Sequence, residues 1–194
     1  MSGISIIALV LLSAFYLIYL GKMLMLKKQN IQGNILDKGE KSKGSFITEI
    51  ILRFVTFIFV PVQFGSVIWE NLVYTLPVFP FMREIGLVLM FFGVVFFLIA
   101  VITMRNNWRA GYSYEQETQL VTNGIYRISR NPAFLGFDLL YIGCALAFPN
   151  IINVILALAA VVIFHVQILG EEKFLVEKFG KTYLDYKAKT RRYI

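Results

Sequence analysis

Two stretches of this chain carry residue types that could do chemistry. The first, residues 120–136, reads LVTNGIYRISRNPAFLG: a polar, glycine-punctuated connector that runs into an apolar helix. Asparagine is a strong N-cap, and proline at the first helical position gives up only an amide that had no partner, so the spacing predicts a helix starting at Pro132. The exposed amides of that turn, with Arg127 and Arg130 beside them, make an electropositive nest suited to a carboxylate or phosphate. A plain capped membrane helix with basic residues at the lipid surface accounts for the same residues. The second stretch is the acidic pair Glu171 and Glu172 at the end of another apolar run. Carboxylates at a helix C-terminus oppose the helix dipole, so a pair there calls for a cation facing it; a solvated helix end is the alternative.

The elements that must position these groups lie in a membrane. With 194 residues, 58% hydrophobic and 15% aromatic, and a mean hydropathy of +0.69, the chain is too apolar for a soluble domain. The net charge of +7 does not point to nucleic acid, because the basic residues lie between apolar spans rather than on one polar face. The single cysteine, Cys144, excludes an internal disulfide and a cysteine-built zinc site, and the single histidine, His165, leaves little for a histidine-based metal site.

Taken in order, residues 4–20 are a charge-free apolar run with no basic leader or small-residue cleavage site, read as a retained first span. Residues 22–43 are a lysine-rich loop. Residues 46–74 form a second span interrupted by Glu49, Arg53 and Pro61, with Glu49 and Arg53 spaced to pair on one helical face. A turn at 75–82 leads to a third span, 84–104, with Gly86 and Gly93 as close-packing positions. Residues 132–148 and 151–170 are the fourth and fifth spans, joined so tightly that they form an antiparallel hairpin. The tail is amphipathic, with a helical cluster at Phe174, Leu175 and Phe179, a stop at Gly180 and a second short helix carrying Tyr183, Leu184 and Tyr186. Lysine and arginine concentrate in the first loop, the 105–130 connector and the tail, against Arg83 alone on the other side. This predicts five spans, the N-terminus outside and the C-terminus cytoplasmic. The expectation is one all-α membrane-embedded domain over 1–194: a three-span scaffold, 1–104, and a functional half, 105–194, whose cytoplasmic pocket is closed by the connector and the C-terminal helices.

The hairpin places the nest and the acidic pair side by side, walled by Tyr126, Phe134, Tyr183 and Tyr186, which suits a zwitterionic, partly aromatic ligand such as S-adenosylmethionine. The ordered pattern LVTNGIYRISRNPAFLG, EE and KFGKTYLDYK resembles the integral membrane isoprenylcysteine carboxyl methyltransferases and the related phospholipid methyltransferases, small prokaryotic members of the former most of all. The resemblance covers residues 108–186. It implies that Thr118, Gln119, Leu120 and Val121, with Tyr126, Asn131, Pro132, Ala133, Phe134 and Glu171, bind S-adenosylmethionine. The family's arginine, proline, aromatic and glycine fall on Arg130, Pro132, Phe134 and Gly136, while its histidine is Asn131 here, which removes a titratable group. Eukaryotic members carry an arginine where this chain has Gln167, so a substrate carboxylate needs another cation, with Arg109, Arg127 and Arg130 as candidates.

The function so implied is methyl transfer to the C-terminal carboxylate of a prenylated cysteine, with Arg109, Arg130 and Glu171 as the catalytic set, an amphiphilic prenylcysteine-like or lipid substrate, membrane lipids as surroundings, and neither nucleic acid nor metal. A carboxylate with a pKa of about 4 is already ionised at neutral pH, so the reaction needs placement rather than a general base. The absence of a GxGxxG fingerprint fits a cofactor site built from helix ends. A phospholipid N-methyltransferase, whose ammonium must first lose a proton, and a non-catalytic lipid-binding scaffold are the alternatives. Asp138 inside the fourth span is either functional or hydrogen-bonded to a neighbouring helix. His165 is expected to be an interhelical donor, and Trp69 and Trp108 interfacial anchors.

Overall fold

The computed structural model describes residues 1–39, 41–72, 75–77, 79–115 and 118–194. Among them are six α-helices: α1 Gly3–Lys28, α2 Lys43–Ile68, α3 Met82–Met104, α4 Pro132–Ala147, α5 Ile151–Phe179 and α6 Lys181–Lys189, with short 3-10 turns at Arg105–Asn107 and Gly124–Arg127. No strand occurs among the described residues; isolated bridges join Asn34 to Ala110 and Ser129 to Arg191. The all-α class matches expectation. By length and composition α1, α2, α5 and α3 with its extension to Asn107 can cross a membrane. Helix α4 is a shorter apolar helix of 16 residues, about 24 Å long at 1.5 Å per residue against a hydrocarbon core of about 30 Å.

Several boundaries differ from expectation for identifiable reasons. Helix α1 is capped by Ser2, whose Oγ accepts from the Ser5 amide at 3.1 Å, and it runs past residue 20 because Met, Leu and Lys are strong helix formers. Helix α2 ends at Ile68, and residues 73 and 74 of its expected end lie outside the described residues. The largest departure is α5. It does not stop at Gly170 but continues unbroken to Phe179, where Gly180, at φ +53°, ends it. Glu171 and Glu172 are therefore inside a helix, not at its C-terminus, and the dipole argument for a cationic partner does not apply to them.

Helices α3 and α4 make the tightest pairing. A Cβ on Gly86 would lie 2.6 Å from the Gly143 carbonyl oxygen, and one on Gly93 2.7 Å from that of Gly136. Residue numbers rise along α3 as they fall along α4, so the two helices run antiparallel with backbones in near contact. In lipid there is little hydrophobic drive between helices, and close approach through small residues supplies dispersion in its place. Around this seam the core is aromatic: Phe15 stacks on Phe97 at 4.5 Å, and Phe137 meets Phe97 edge-on at 5.1 Å. Trp108 is 4% exposed and packs edge-on against Tyr19 and Phe97, so it is a core residue rather than the expected interfacial anchor.

The first loop folds into the bundle. The Ile35 amide donates to the Ala110 carbonyl at 2.9 Å, and Ala110 donates to Gly33 at 2.8 Å. This changes the partners of α2. Glu49 and Arg53 do not pair with each other as expected: Glu49 takes Lys41 at 2.5 Å and the Asp37 amide at 2.6 Å, while Arg53 takes Asp37 and the Leu36 carbonyl. The loop supplies both an acid and a base, and each helical charge finds its opposite there.

Candidate functional site

The connector and the tail meet as the sequence implied, but through Glu172 rather than Glu171. Glu172 accepts from Arg130 Nη2 at 2.7 Å and from Arg192 Nε and Nη2 at 2.9 Å each, with Lys187 Nζ 3.4 Å away. Backbone contacts complete the clamp. The Arg130 amide donates to the Arg191 carbonyl at 2.9 Å, and Asn131 Nδ2 donates to the Arg192 carbonyl at 3.2 Å. Asn131 thus precedes the helix at Pro132 without a side-chain cap; its amide group holds the tail instead. From α6, the Tyr186 hydroxyl donates to the Tyr126 carbonyl at 2.6 Å.

Glu171 has a different environment. It accepts from Gln167 Nε2 at 3.2 Å, and the same nitrogen lies 3.2 Å from Glu49 Oε1. Gln167 therefore bridges two carboxylates, with Lys41 as the cation beside Glu49. Among the described residues Glu171 forms no ion pair. Tyr126 stands near it, and burial, helped by Tyr186 and Glu171, pushes that phenol well above its ordinary pKa and keeps it neutral. Burial also raises Tyr183, to about 12, with Glu172 adding to the effect.

Gln167 is also where a cavity of about 380 Å³ begins. Its polar end is formed by Asn34, Arg53, Arg109 and Gln167, and its body by apolar and aromatic side chains, among them Leu52, Phe57, Phe137 and Phe164. Trp108 forms part of the wall, and Ala133 and Phe134, at the start of α4, form another part. Arg109 donates to the carbonyls of Asn106 and Trp108, and burial lowers its pKa.

Of the residues singled out in the sequence, Ala133, Phe134 and Arg109 line the cavity, and Tyr126 and Glu171 stand beside its polar end. Pro132 is buried at the first position of α4. Arg130 is outside the cavity, with its guanidinium on Glu172 and on the carbonyls of Lys187 and Thr190. Val121 packs against Ala100, Ile125 and Tyr126, and the exposed Gln119 donates its amide to Asn107 Oδ1 at 3.2 Å. Among the described residues no polar contact ties Thr118 or Leu120 to Glu171. Sequence reasoning missed Asn34 and Arg53. The i, i+4 spacing of Glu49 and Arg53 hid the arginine behind an internal pair, and only the Asn34–Ala110 bridge reveals that the first loop reaches the site.

Two further groups have partners other than those expected. His165 Nδ1 lies 2.7 Å from the Tyr193 hydroxyl, so its partner is the tail and not a helix. Asp138 is 8% exposed, with Oδ1 lacking a hydrogen bond among the described residues.

An all-helical membrane protein whose connector, last long helix and tail converge on one polar cluster beside an apolar cavity is the class these features define. The family model described as phospholipid methyltransferase matches residues 81–182, and the chain belongs to that family. It is similar to the probable protein-S-isoprenylcysteine O-methyltransferase of Oryza sativa subsp. indica, 30% identical over 112 residues that cover 56% of this chain and 59% of that one. It is 33% identical to protein-S-isoprenylcysteine O-methyltransferase A of Arabidopsis thaliana over 105 residues, 52% of this chain and 53% of that one. The Dictyostelium discoideum protein-S-isoprenylcysteine O-methyltransferase is 32% identical over 106 residues, 53% of this chain and 45% of that one. The chain thus spans about half the length of the curated relatives it matches.

Proposed function

We propose that this protein transfers a methyl group from S-adenosylmethionine to the C-terminal carboxylate of a prenylated cysteine, from a site on the cytoplasmic face of a five-span bundle with the N-terminus outside. In this reading α4 and α5 form the last two spans, as a hairpin, and the basic loops lie on the cytoplasmic side. The observation that carries the reading is the cavity: an apolar, aromatic body that suits an isoprenoid chain, with Arg109 and the Asp37-paired Arg53 in its lining to suit a carboxylate.

Glu171 provides the test of fit for the cofactor. A carboxylate with a single side-chain donor and no ion pair among the described residues suits a ligand that brings its own positive charge. Glu171, Tyr126, Pro132 and Ala133 would hold S-adenosylmethionine, with residues 118–121 as further contacts. When bound, this group supplies an electrophilic methyl. Everything else is placement by the chain. Arg109 holds the acceptor's carboxylate, which is ionised at neutral pH and needs no base, and Arg53, itself paired with Asp37, flanks it. Gln167, between Glu49 and Glu171, fixes the Glu171 carboxylate. The aromatic walls exclude water, and orientation of this kind contributes about 7–11 kcal/mol to lowering a barrier. Arg130 acts at one remove, by fastening the tail through Glu172.

An amine acceptor fits less well, because Arg109 at the polar end suits an anion rather than an ammonium; Glu171 beside it, whose carboxyl burial pushes up to about 7, is the base such an acceptor would use. Incubation with methyl-labelled S-adenosylmethionine and either N-acetyl-farnesylcysteine or phosphatidylethanolamine, followed by alkaline hydrolysis, decides between them. Volatile labelled methanol from the cysteine derivative is expected; alkali-stable label on the phospholipid would overturn the carboxylate assignment.

A further inference from the structure

Fastening the first loop to α2 does not by itself account for the Lys41–Glu49 ion pair. Both side chains are 0% exposed, and a buried ion pair is often no more stabilising than apolar side chains of the same volume. The two oxygens of Glu49 have separate partners. Oε2 accepts from Lys41 Nζ at 2.5 Å and from the Asp37 amide at 2.6 Å. Oε1 accepts from Gln167 Nε2 at 3.2 Å, and the same nitrogen reaches Glu171 Oε1, also at 3.2 Å. A side-chain amide has one donating and one accepting end. With a carboxylate on each side, only the nitrogen of Gln167 can face them, because its oxygen would meet two anions. Lys41 in turn holds Glu49. Its ammonium also donates to the Ile35 carbonyl at 3.0 Å and lies 5.0 Å from the centre of the Tyr112 ring, whose hydroxyl donates to Ser45 at 2.7 Å. The first loop, α2 and the connector thus enclose one cation beside Glu49.

We infer that Lys41 is a positioning residue of the cofactor site: through Glu49 and Gln167 it fixes the Glu171 carboxylate for a ligand that carries positive charge. The inference deepens the proposed function and rests on it, since it takes Glu171 as a contact of S-adenosylmethionine. Lys41 and Glu49 lie outside residues 81–182, so the support comes from a part of the chain that the family match does not cover. Two carboxylates on one amide repel each other, and the ammonium offsets that repulsion. The groups facing Glu171 are Gln167 from its own helix, Glu49 from α2, Lys41 from the first loop, and Tyr112 and Tyr126 from the connector, whose phenols burial holds above their ordinary values. Burial pushes the Glu171 carboxyl up to about 7; the Gln167 amide draws it down, Glu49 pushes it up, and Lys41 draws it down. Without the ammonium, Glu171 would take up a proton at neutral pH and have no charge to offer a cation.

The test is the pH dependence of S-adenosylhomocysteine binding, measured by calorimetry on the intact protein in detergent. The ligand's own titration is common to every variant, so differences in midpoint belong to the protein. In the parent, affinity should fall with decreasing pH through a midpoint of about 7, as Glu171 takes up its proton. Lys41→Met should raise that midpoint by about one pH unit, the low end of what a neighbouring charge does to a carboxylate, and weaken binding at neutral pH several-fold. Lys41→Gln keeps a donor to Glu49 without the charge; it should shift the midpoint the same way and decides the matter if Lys41→Met does not fold. Lys41→Met combined with Glu49→Met leaves neither charge alone. That variant should unfold near the parent's temperature and return the midpoint towards the parent's, but bind more weakly at every pH, because Gln167 is then held from one side only. An unchanged midpoint in the folded single variants overturns the inference and leaves the cofactor reading standing. A double variant that binds as tightly as the parent overturns it too. No binding by the parent at any pH overturns both the inference and the cofactor reading.

Discussion

Glu171 and Glu172 are adjacent and chemically identical, yet the fold gives them opposite tasks. One helical residue is a rotation of about 100°. Glu172 consequently faces Arg130 and the returning tail, whereas Glu171 accepts from Gln167, which lines the cavity. Both members of the Arg130–Glu172 pair are almost fully buried, with side chains 7% and 5% exposed. Removing one charge leaves the other uncompensated, at a cost of about 3–5 kcal/mol. Glu172→Gln should therefore lower the thermal unfolding midpoint in detergent sharply. Glu171→Gln should leave that midpoint close to the parent's and instead weaken S-adenosylhomocysteine binding at least about tenfold, the value of a hydrogen bond to a charged group. Calorimetry and thermal melts on the two variants separate the roles; equal effects on both readouts would refute the division. The sequence made the pair conspicuous but not the assignment, because which carboxylate meets the tail depends on the rotation of α5 beyond residue 170 and on Arg192 folding back.

Gly170 shows why the sequence pattern predicts too short an α5. Glycine followed by charges resembles a helix end, but here it has no positive φ, and a Cβ would lie 3.2 Å from the Tyr112 hydroxyl. The residue is small to admit that tyrosine, which stacks on Phe174 at 4.9 Å. Only the neighbour distinguishes a packing glycine from a capping one, and the neighbour arrives from the connector. Gly86 and Gly93 were legible as packing positions from their place in an apolar run, although their partners on α4 were not, since register between helices is not a local property. Gly143→Ala should destabilise by about 1–3 kcal/mol, because a methyl group 2.6 Å from the Gly86 carbonyl oxygen must push two backbones apart. Gly21→Ala, where a Cβ meets nothing within 4 Å, should be neutral or slightly stabilising. Chemical denaturation of the two variants against the parent tests the contrast.

At the scale of the molecule, the bundle is fastened at both ends by buried or half-buried charge, and the end away from the candidate site responds to acid. There Glu70 accepts from Arg83 at 2.7 Å and from Ser5 Oγ at 2.6 Å, while Arg83 Nε donates to the Ala147 carbonyl at 2.9 Å. One carboxylate thereby joins the starts of α1 and α3 to the end of α4. Burial raises the pKa of Glu70, but the hydrogen bonds from Ser5, Arg83 and Ser2 outweigh it and hold the carboxyl at about 2, below its ordinary 4.5. A group whose folded value is depressed binds its proton more readily when unfolded, so its contribution to stability is fully present above about 4.5 and is lost as pH falls towards 2. Glu70→Gln should lower the unfolding midpoint at pH 6, and the difference from the parent should narrow steadily through pH 4 and pH 3. Other carboxylates titrate in both proteins, so the narrowing of the difference isolates Glu70. A gap that stayed constant over that range would mean that Glu70 stabilises through packing alone, and that the Arg83 pairing contributes nothing that depends on its charge.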